Sequence, residues 1–307
     1  MMNPNKYILL FLCLAAAVSG LYCQEEEQLP DWVRLENGKR LFDDGKFGDA
    51  LLIFQKLREK TDSYPEADYW IGRVFEEEGE LGLAESQYLR ALDAKKDLYV
   101  YQDVLHIQNR LARIYRIGRK YHEYEDILKS SIRFAGGDSI SDANRLFPLM
   151  VRTLKEKGID KLFELYRLDE SMVLHAHSEL GLFYYRTGRY EESIRNLIVA
   201  VLTILSRTAE EVKYYDPLFE SLEVEGLLNR ALKFDNIREY TESTSFFPAL
   251  YYLGASLYAV GEIRESRELF TIVSGQESAG EWAALAMRQL TDPFIEPVLT
   301  SDEYFYF

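Results

Sequence analysis

Six residues of this chain recur at a fixed interval, and that interval constrains the fold. Gly38, Leu41, Gly45, Phe47, Ala50 and Phe54 return 34 residues later as Gly72, Phe75, Gly79, Leu81, Ala84 and Tyr88. A closed globular core has no reason to repeat itself at such a spacing. A stack of like supersecondary units does, because each buries its apolar face only against a neighbour. Within one interval Ile71, Gly72 and Phe75 fall on one helical stripe, and Leu81, Ala84 and Tyr88 on another. Gly79 lies between them, where a helix commonly ends in a left-handed residue. The expected unit is two amphipathic helices joined by a glycine turn, with Gly72 and Ala84 letting the helices approach closely.

The pattern continues along the chain. A third unit carries Leu111, Ala112, Tyr115 and Tyr121, but Tyr124 stands where a small residue is expected and Gly118 falls one place early. A fifth carries Leu180, Gly181, Tyr184, Gly188, Tyr190, Ser193, Leu197 and Ala200. A seventh carries Leu253, Gly254, Leu257, Gly261, Ile263, Ser266 and Phe270. Two stretches fit only as degenerate units. Residues 142–169 read as two helices with a turn at Gly158, and residues 209–240 as helices interrupted near Pro217 and Gly226.

These residues resemble the tetratricopeptide repeat family. The resemblance implies an all-α fold, a right-handed α-α superhelix of about seven helix pairs whose hollow side binds other molecules. Residues 31–134 would form units 1–3. Residues 135–290 would form units 4–7, with residues 281–290 as a capping helix. Residues 291–307 would be a non-helical aromatic tail, because Pro293 and Pro297 interrupt a helix. That tail ends in Tyr304, Phe305, Tyr306 and Phe307. Exposed aromatic residues call for a docking surface: the protein's own groove, which is the favoured reading, a partner's groove, or a partner that reads the C-terminal peptide.

Residues 1–23 read as an export signal. Lys6 supplies a positive start, Tyr7 to Val18 an apolar run, and Ser19 and Gly20 small residues suited to cleavage. Of the two cysteines, Cys13 lies in the apolar run. Cys23 follows it, where a lipidated cysteine would stand, although Tyr22 departs from the usual small residue there. A lipid anchor at Cys23, its loss on cleavage, and an uncleaved signal all stay open. Residues 24–30 form an acidic linker containing Glu25, Glu26 and Glu27. The expected location is the periplasm, or the periplasmic face of a membrane.

Net charge is −15. That balance disfavours nucleic acid, whose affinity depends on neutralised phosphates. No phosphate loop or nucleophile elbow occurs. Of the four histidines, His175 and His177 lie about 200° apart on a helix, so they do not share a metal; each reads as a groove or surface residue. Glu76, Glu77 and Glu78 read as a solvated face. No cofactor or metal and no enzymatic activity is expected.

The binding surface is expected on the first helices of the units, where the resemblance places the inward side chains. Tyr69, Arg73, Asn109, Arg113, Arg116, Tyr185, Arg186, Tyr251 and Tyr258 are the candidates. Tyrosine and arginine are the residues that most often dominate binding energy. Arg110, Arg113, Arg116, Arg119 and Lys120 form a spiral patch with two open readings. It grips a carboxylate or phosphate of a partner, or it pairs with neighbouring acidic helices such as residues 76–80. The positions at which some family members clamp a C-terminal carboxylate carry Leu35, Lys39, Trp70, His106 and Arg110, which is not that set. The expected function is a non-catalytic scaffold of the bacterial cell envelope that binds another envelope protein or peptide. The alternative is an accessory or ligand-binding subunit of a solute transporter.

Overall fold

A computed structural model describes residues 29–60, 63–136, 140–169, 172–220 and 223–296. The signal segment, nearly all of the acidic linker, Cys23 and the aromatic terminus at 304–307 lie outside these. Among the described residues every regular element is helical. In order they are α1 (Asp31–Asp43), α2 (Phe47–Lys60), α3 (Pro65–Glu77), α4 (Leu81–Asp93), α5 (Asp103–Ile117), α6 (Tyr121–Gly136), α7 (Ile140–Leu165), α8 (Leu174–Arg186), α9 (Tyr190–Tyr215), α10 (Val224–Ala231), α11 (Asp235–Ser243), α12 (Phe246–Ala259), α13 (Ile263–Ser274) and α14 (Glu281–Thr291).

Packing divides the chain into two compact units, Met1–Ile114 and Tyr115–Phe307. Within the second unit α6 packs on α8.

In the first unit α1 pairs with α2 and α3 with α4. The pairing contact is a glycine against a ring. A Cβ added at Gly38 would lie 2.5 Å from Phe54, and one at Gly72 would lie 2.6 Å from Tyr88. Both rings are fully buried. Burying each contributes about 2–3 kcal/mol of transfer free energy, but only while the opposing helix carries no side chain there. Leu35, Phe42, Leu57, Ile71 and Val74 complete the core on the same stripes.

Gly45 and Gly79 end the first helix of each pair at φ 74° and φ 80°. The following residue donates back into the helix, Lys46 N to Leu41 O at 2.8 Å and Glu80 N to Phe75 O at 2.8 Å. This is the Schellman closure, which satisfies carbonyls the helix end leaves open. The second unit repeats it at Gly188 and Gly261. The third helix pair makes the same closure, Lys120 N to Tyr115 O at 2.9 Å, on a non-glycine residue: Arg119 has φ 63°. The early Gly118 is therefore not the turn residue. Arg119 holds the register at a cost of roughly 1 kcal/mol for a left-handed side chain.

The second unit contains α6 to α14. Its centre is α9, whose residues 197–206 are all buried. A helix apolar on every side is one covered on every side. Gly181 again approaches its partner closely, 2.5 Å from a would-be Cβ to Leu197, whereas Gly254 leaves 3.2 Å to Phe270. Gly158 turns sharply inside α7, at φ 83° and ψ 179°, where the sequence places a turn. The interruption near Pro217 follows the end of α9 at Tyr215. Gly226, in contrast, lies inside α10, and the second break falls between α10 and α11. There the chain leaves the helix after Ala231 and re-enters at Asp235, which supplies a negative charge to the first turn of α11.

Candidate partner-binding site

In the first unit, Tyr69 and Arg73 are one helical turn apart on α3 and share a face. The Tyr69 ring is half-buried, 5.7 Å from Trp70 and 5.8 Å from Tyr88 between centroids. The Arg73 guanidinium lies 4.7 Å over Phe42 and 5.0 Å over Trp70. Its buried Nε has no hydrogen-bond partner among the described residues. Lys39 adds a second cation, 5.7 Å from the Trp70 ring. The result is an aromatic patch bearing cations that lean on rings. Asn109 is half-buried on α5.

Arg113 and Arg116 sit differently. Glu76, read above as part of a solvated face, is buried, with a fully enclosed side chain. Its carboxylate accepts from the Tyr88 hydroxyl at 2.5 Å, from Arg110 Nη1 at 3.3 Å and from Arg113. A carboxylate can enter the interior only when hydrogen-bonded in this way, so the pairing partners explain the burial. Burial, with the Glu76 carboxylate beside it, raises the Tyr88 hydroxyl above its ordinary range.

In the second unit Arg116 Nη1 meets Glu179 at 3.1 Å, and the Tyr124 hydroxyl donates to the same carboxylate at 2.5 Å. The tyrosine that replaces a small residue in the third helix pair thus reaches α8. Glu125 follows the same chemistry. It accepts from the Tyr184 hydroxyl at 3.0 Å and from Arg189 at 3.0 and 2.9 Å, with Lys129 alongside. Burial pushes the Glu125 carboxyl up, but Lys129, Arg189 and Tyr184 together outweigh it and hold the group below its usual value. Of the two readings of the arginine patch, pairing with acidic helices describes Arg110, Arg113 and Arg116. Arg113 and Arg116, two of the candidate partner contacts, hold Glu76 and Glu179 while their own side chains stay 49% and 36% exposed.

A further carboxylate comes from the end of the described chain. After α14 the backbone runs without regular structure through Phe294 to Glu296. The Gln289 side chain, buried, holds the Phe294 main chain at both polar atoms, accepting from its N–H at 3.0 Å and donating to its carbonyl at 3.1 Å. The Phe294 ring lies under the Arg288 guanidinium at 4.7 Å. Glu296 then enters a pocket of tyrosines. The Tyr251 hydroxyl donates to its Oε1 at 3.3 Å and itself accepts from Gln289 at 3.2 Å. Tyr185 and Tyr252 pack at 4.9 Å, Tyr185 and Tyr190 at 5.6 Å, and Trp282 closes on Tyr251 and Tyr252 at 5.5 and 5.6 Å. Arg186 donates to the Tyr252 hydroxyl at 3.4 Å and supplies the positive charge nearest Glu296. Burial raises the Glu296 carboxyl above its ordinary value, and Arg186 and the Tyr251 hydroxyl only partly offset this.

Tyr185 and Tyr251 are 2% and 0% exposed, so they are walls of this pocket, not surface contacts as the sequence placed them. Their burial follows from mutual ring packing beneath the returning chain. Arg186 and Tyr258 are half-buried. The sequence missed Gln289, Tyr190, Tyr252 and Glu296. The signal for them was the run of aromatics at 251–252 together with Pro293 and Pro297, which disfavour a helix there.

His177 is buried on α8, with Nδ1 3.1 Å from Asn196 Oδ1, which corrects its reading as a groove or surface residue. Burial lowers its pKa to about 4, so it is neutral at pH 7. Among the described residues no three His, Cys, Asp or Glu side chains converge on a metal-sized point. No helix among them is long and apolar enough to cross a membrane.

The tetratricopeptide repeat family matches residues 35–98. An uncharacterized protein of Borreliella burgdorferi is 24% identical over 284 residues, covering 82% of this chain and 85% of the relative. Another uncharacterized protein, from Treponema pallidum, is 24% identical over 244 residues, covering 78% of this chain and 64% of the relative. Among solved structures, the kinesin light chain nearly identical TPR-like repeats from Podosopora anserina align at a TM-score of 0.41 with 14% identity, over 86% of this chain and 99% of that one. Residues 35–98 thus carry the tetratricopeptide repeat pattern, and the close glycine contacts and Schellman turns of that pattern recur at Gly181, Gly188 and Gly261.

Proposed function

We propose that this chain is a non-catalytic scaffold of the bacterial cell envelope that binds another envelope protein or peptide through its first helices. The repeat fold supports protein binding as the general role. The observation that carries the reading is Arg73. Its guanidinium lies over Phe42 and Trp70, and among the described residues it has no carboxylate partner, whereas Arg110, Arg113, Arg116 and Arg189 each have one. An arginine held flat on rings, with its hydrogen-bonding edge unused, is preorganised for an incoming acceptor. Tyr69 beside it adds contact area at low entropic cost. The apolar run at residues 7–18 after Lys6 supports export.

The test is capture from an envelope extract by the immobilised chain lacking residues 1–23, compared with its Tyr69→Ala/Arg73→Ala variant. The expected result is a protein retained at physiological salt by the parent and lost by the variant, with helical circular dichroism unchanged. A central arginine contributes about 2 kcal/mol or more, roughly a thirtyfold loss of affinity. Retention of nothing by the parent, or equal retention by both, defeats the reading.

A further inference from the structure

We propose that the tyrosine pocket of the second unit is a binding site for an extended acidic peptide with an aromatic residue two places before a glutamate, and that Phe294–Glu296 are its resident occupant in cis. This names the chemistry of one ligand for the scaffold proposed above and rests on that reading.

Three features mark the pocket as a peptide site. First, Gln289 reads main chain. Its buried amide pairs with both the N–H and the carbonyl of Phe294, as a neighbouring strand would. Those two bonds are indifferent to the side chain they hold. Second, the glutamate meets groups remote in sequence: the Tyr251 hydroxyl of α12 donates to it, and Arg186 of α8, bonded to Tyr252, is a cation whose field favours its charge. Third, the segment is a surface passenger. Asp292, Pro293 and Ile295 are exposed, and the backbone from 293 to 296 has no regular structure.

Two further observations make the occupant exchangeable. The ionised Glu296 carboxylate is disfavoured by burial more than Arg186 and Tyr251 favour it, the reverse of the balance at Glu125. The buried Tyr185 hydroxyl completes no hydrogen bond among the described residues. A buried hydroxyl left so costs free energy that a better-fitting peptide recovers.

The probe is a fluorescein-labelled peptide, Asp-Pro-Phe-Ile-Glu-Pro-Val, added to the full chain and read by fluorescence polarisation. In the Phe294→Ser/Glu296→Lys variant the resident segment is displaced, and the peptide should bind at least tenfold tighter than to the parent. Adding Arg186→Ala should abolish that gain, and a peptide with lysine for glutamate should not bind. A displaced variant that keeps its helical spectrum and cooperative melting but does not bind the peptide overturns the proposal. If the variant does not fold, hydrogen exchange at the Phe294 and Ile295 amides of the parent decides. Exchange should quicken in excess peptide, and unchanged exchange means a permanent C-terminal lock. Failure here with capture through Tyr69 and Arg73 intact removes this site and leaves the scaffold reading standing.

Discussion

Glu76 and Glu296 are held by the same kinds of group, a tyrosine hydroxyl and arginine, and yet they differ in every other respect. Glu76 projects from the last turn of α3, and its partners Tyr88, Arg110 and Arg113 come from helices of the same stack. Its backbone is fixed by the helix that carries it. Glu296 hangs on chain outside any helix, and the bonds that seat its segment come from the Gln289 and Tyr251 side chains. Chemistry alone therefore does not separate an internal strut from a ligand site. The element that carries the carboxylate does.

The largest effect that could break this comparison is on stability. Glu76→Gln should lower the unfolding free energy by about 3 kcal/mol, because two arginines lose their charge partner at a buried position. Glu296→Gln should change it by less than about 0.5 kcal/mol, because a neutral isostere also removes the cost of burying the charge. Chemical denaturation of both variants checks this, and equal losses would erase the distinction.

A smaller effect sharpens the comparison at the level of helix pairing. Gly72→Ala drives a methyl group into the buried Tyr88 ring and should cost about 2 kcal/mol. Gly254→Ala meets Phe270 at 3.2 Å, where a small shift relieves the contact, and should cost less than about 1 kcal/mol. Smaller again, Arg119→Gly should stabilise the third pair by roughly 0.5–1 kcal/mol by relieving its left-handed backbone. Thermal melts distinguish these outcomes.

The smallest effects concern pH, and here two carboxylates of the second unit respond with opposite sign. Glu296 has a raised pKa, so its docking is strongest below the ordinary glutamate value of 4.5 and weakens as pH rises through the raised one. Glu125 has a lowered pKa, so its contribution is present above 4.5 and is lost as pH falls through the lowered one. Acidifying from pH 7 toward pH 4.5 should therefore slow amide exchange at Phe294, after correction for intrinsic rates, and leave the Glu125 contacts intact. Faster exchange at Phe294 would contradict the assignment.

The helix pairs were legible because their defining contact is local. Gly72 and Tyr88 belong to one hairpin, and the same spacing recurs at Gly38, Gly181 and Gly254. Arg119 was hidden because glycine is the usual signature of a left-handed turn and Gly118 stood beside it. Glu76 was misread because its neighbours Glu77 and Glu78 are exposed, and only partners in later helices distinguish it from them. The candidate site was half visible. Arg73 and Tyr69 follow from helical register, but the tyrosine pocket is assembled from α8, α9, α12 and α14, which no single window of sequence contains.

The bare backbone under each buried ring has a hereditary consequence. Enlarging Gly38 requires shrinking Phe54, and enlarging Gly72 requires shrinking Tyr88, so neither partner can drift alone. Homologous chains should show these positions changing as couples, and anyone grafting a module from this protein must transplant the hairpin whole.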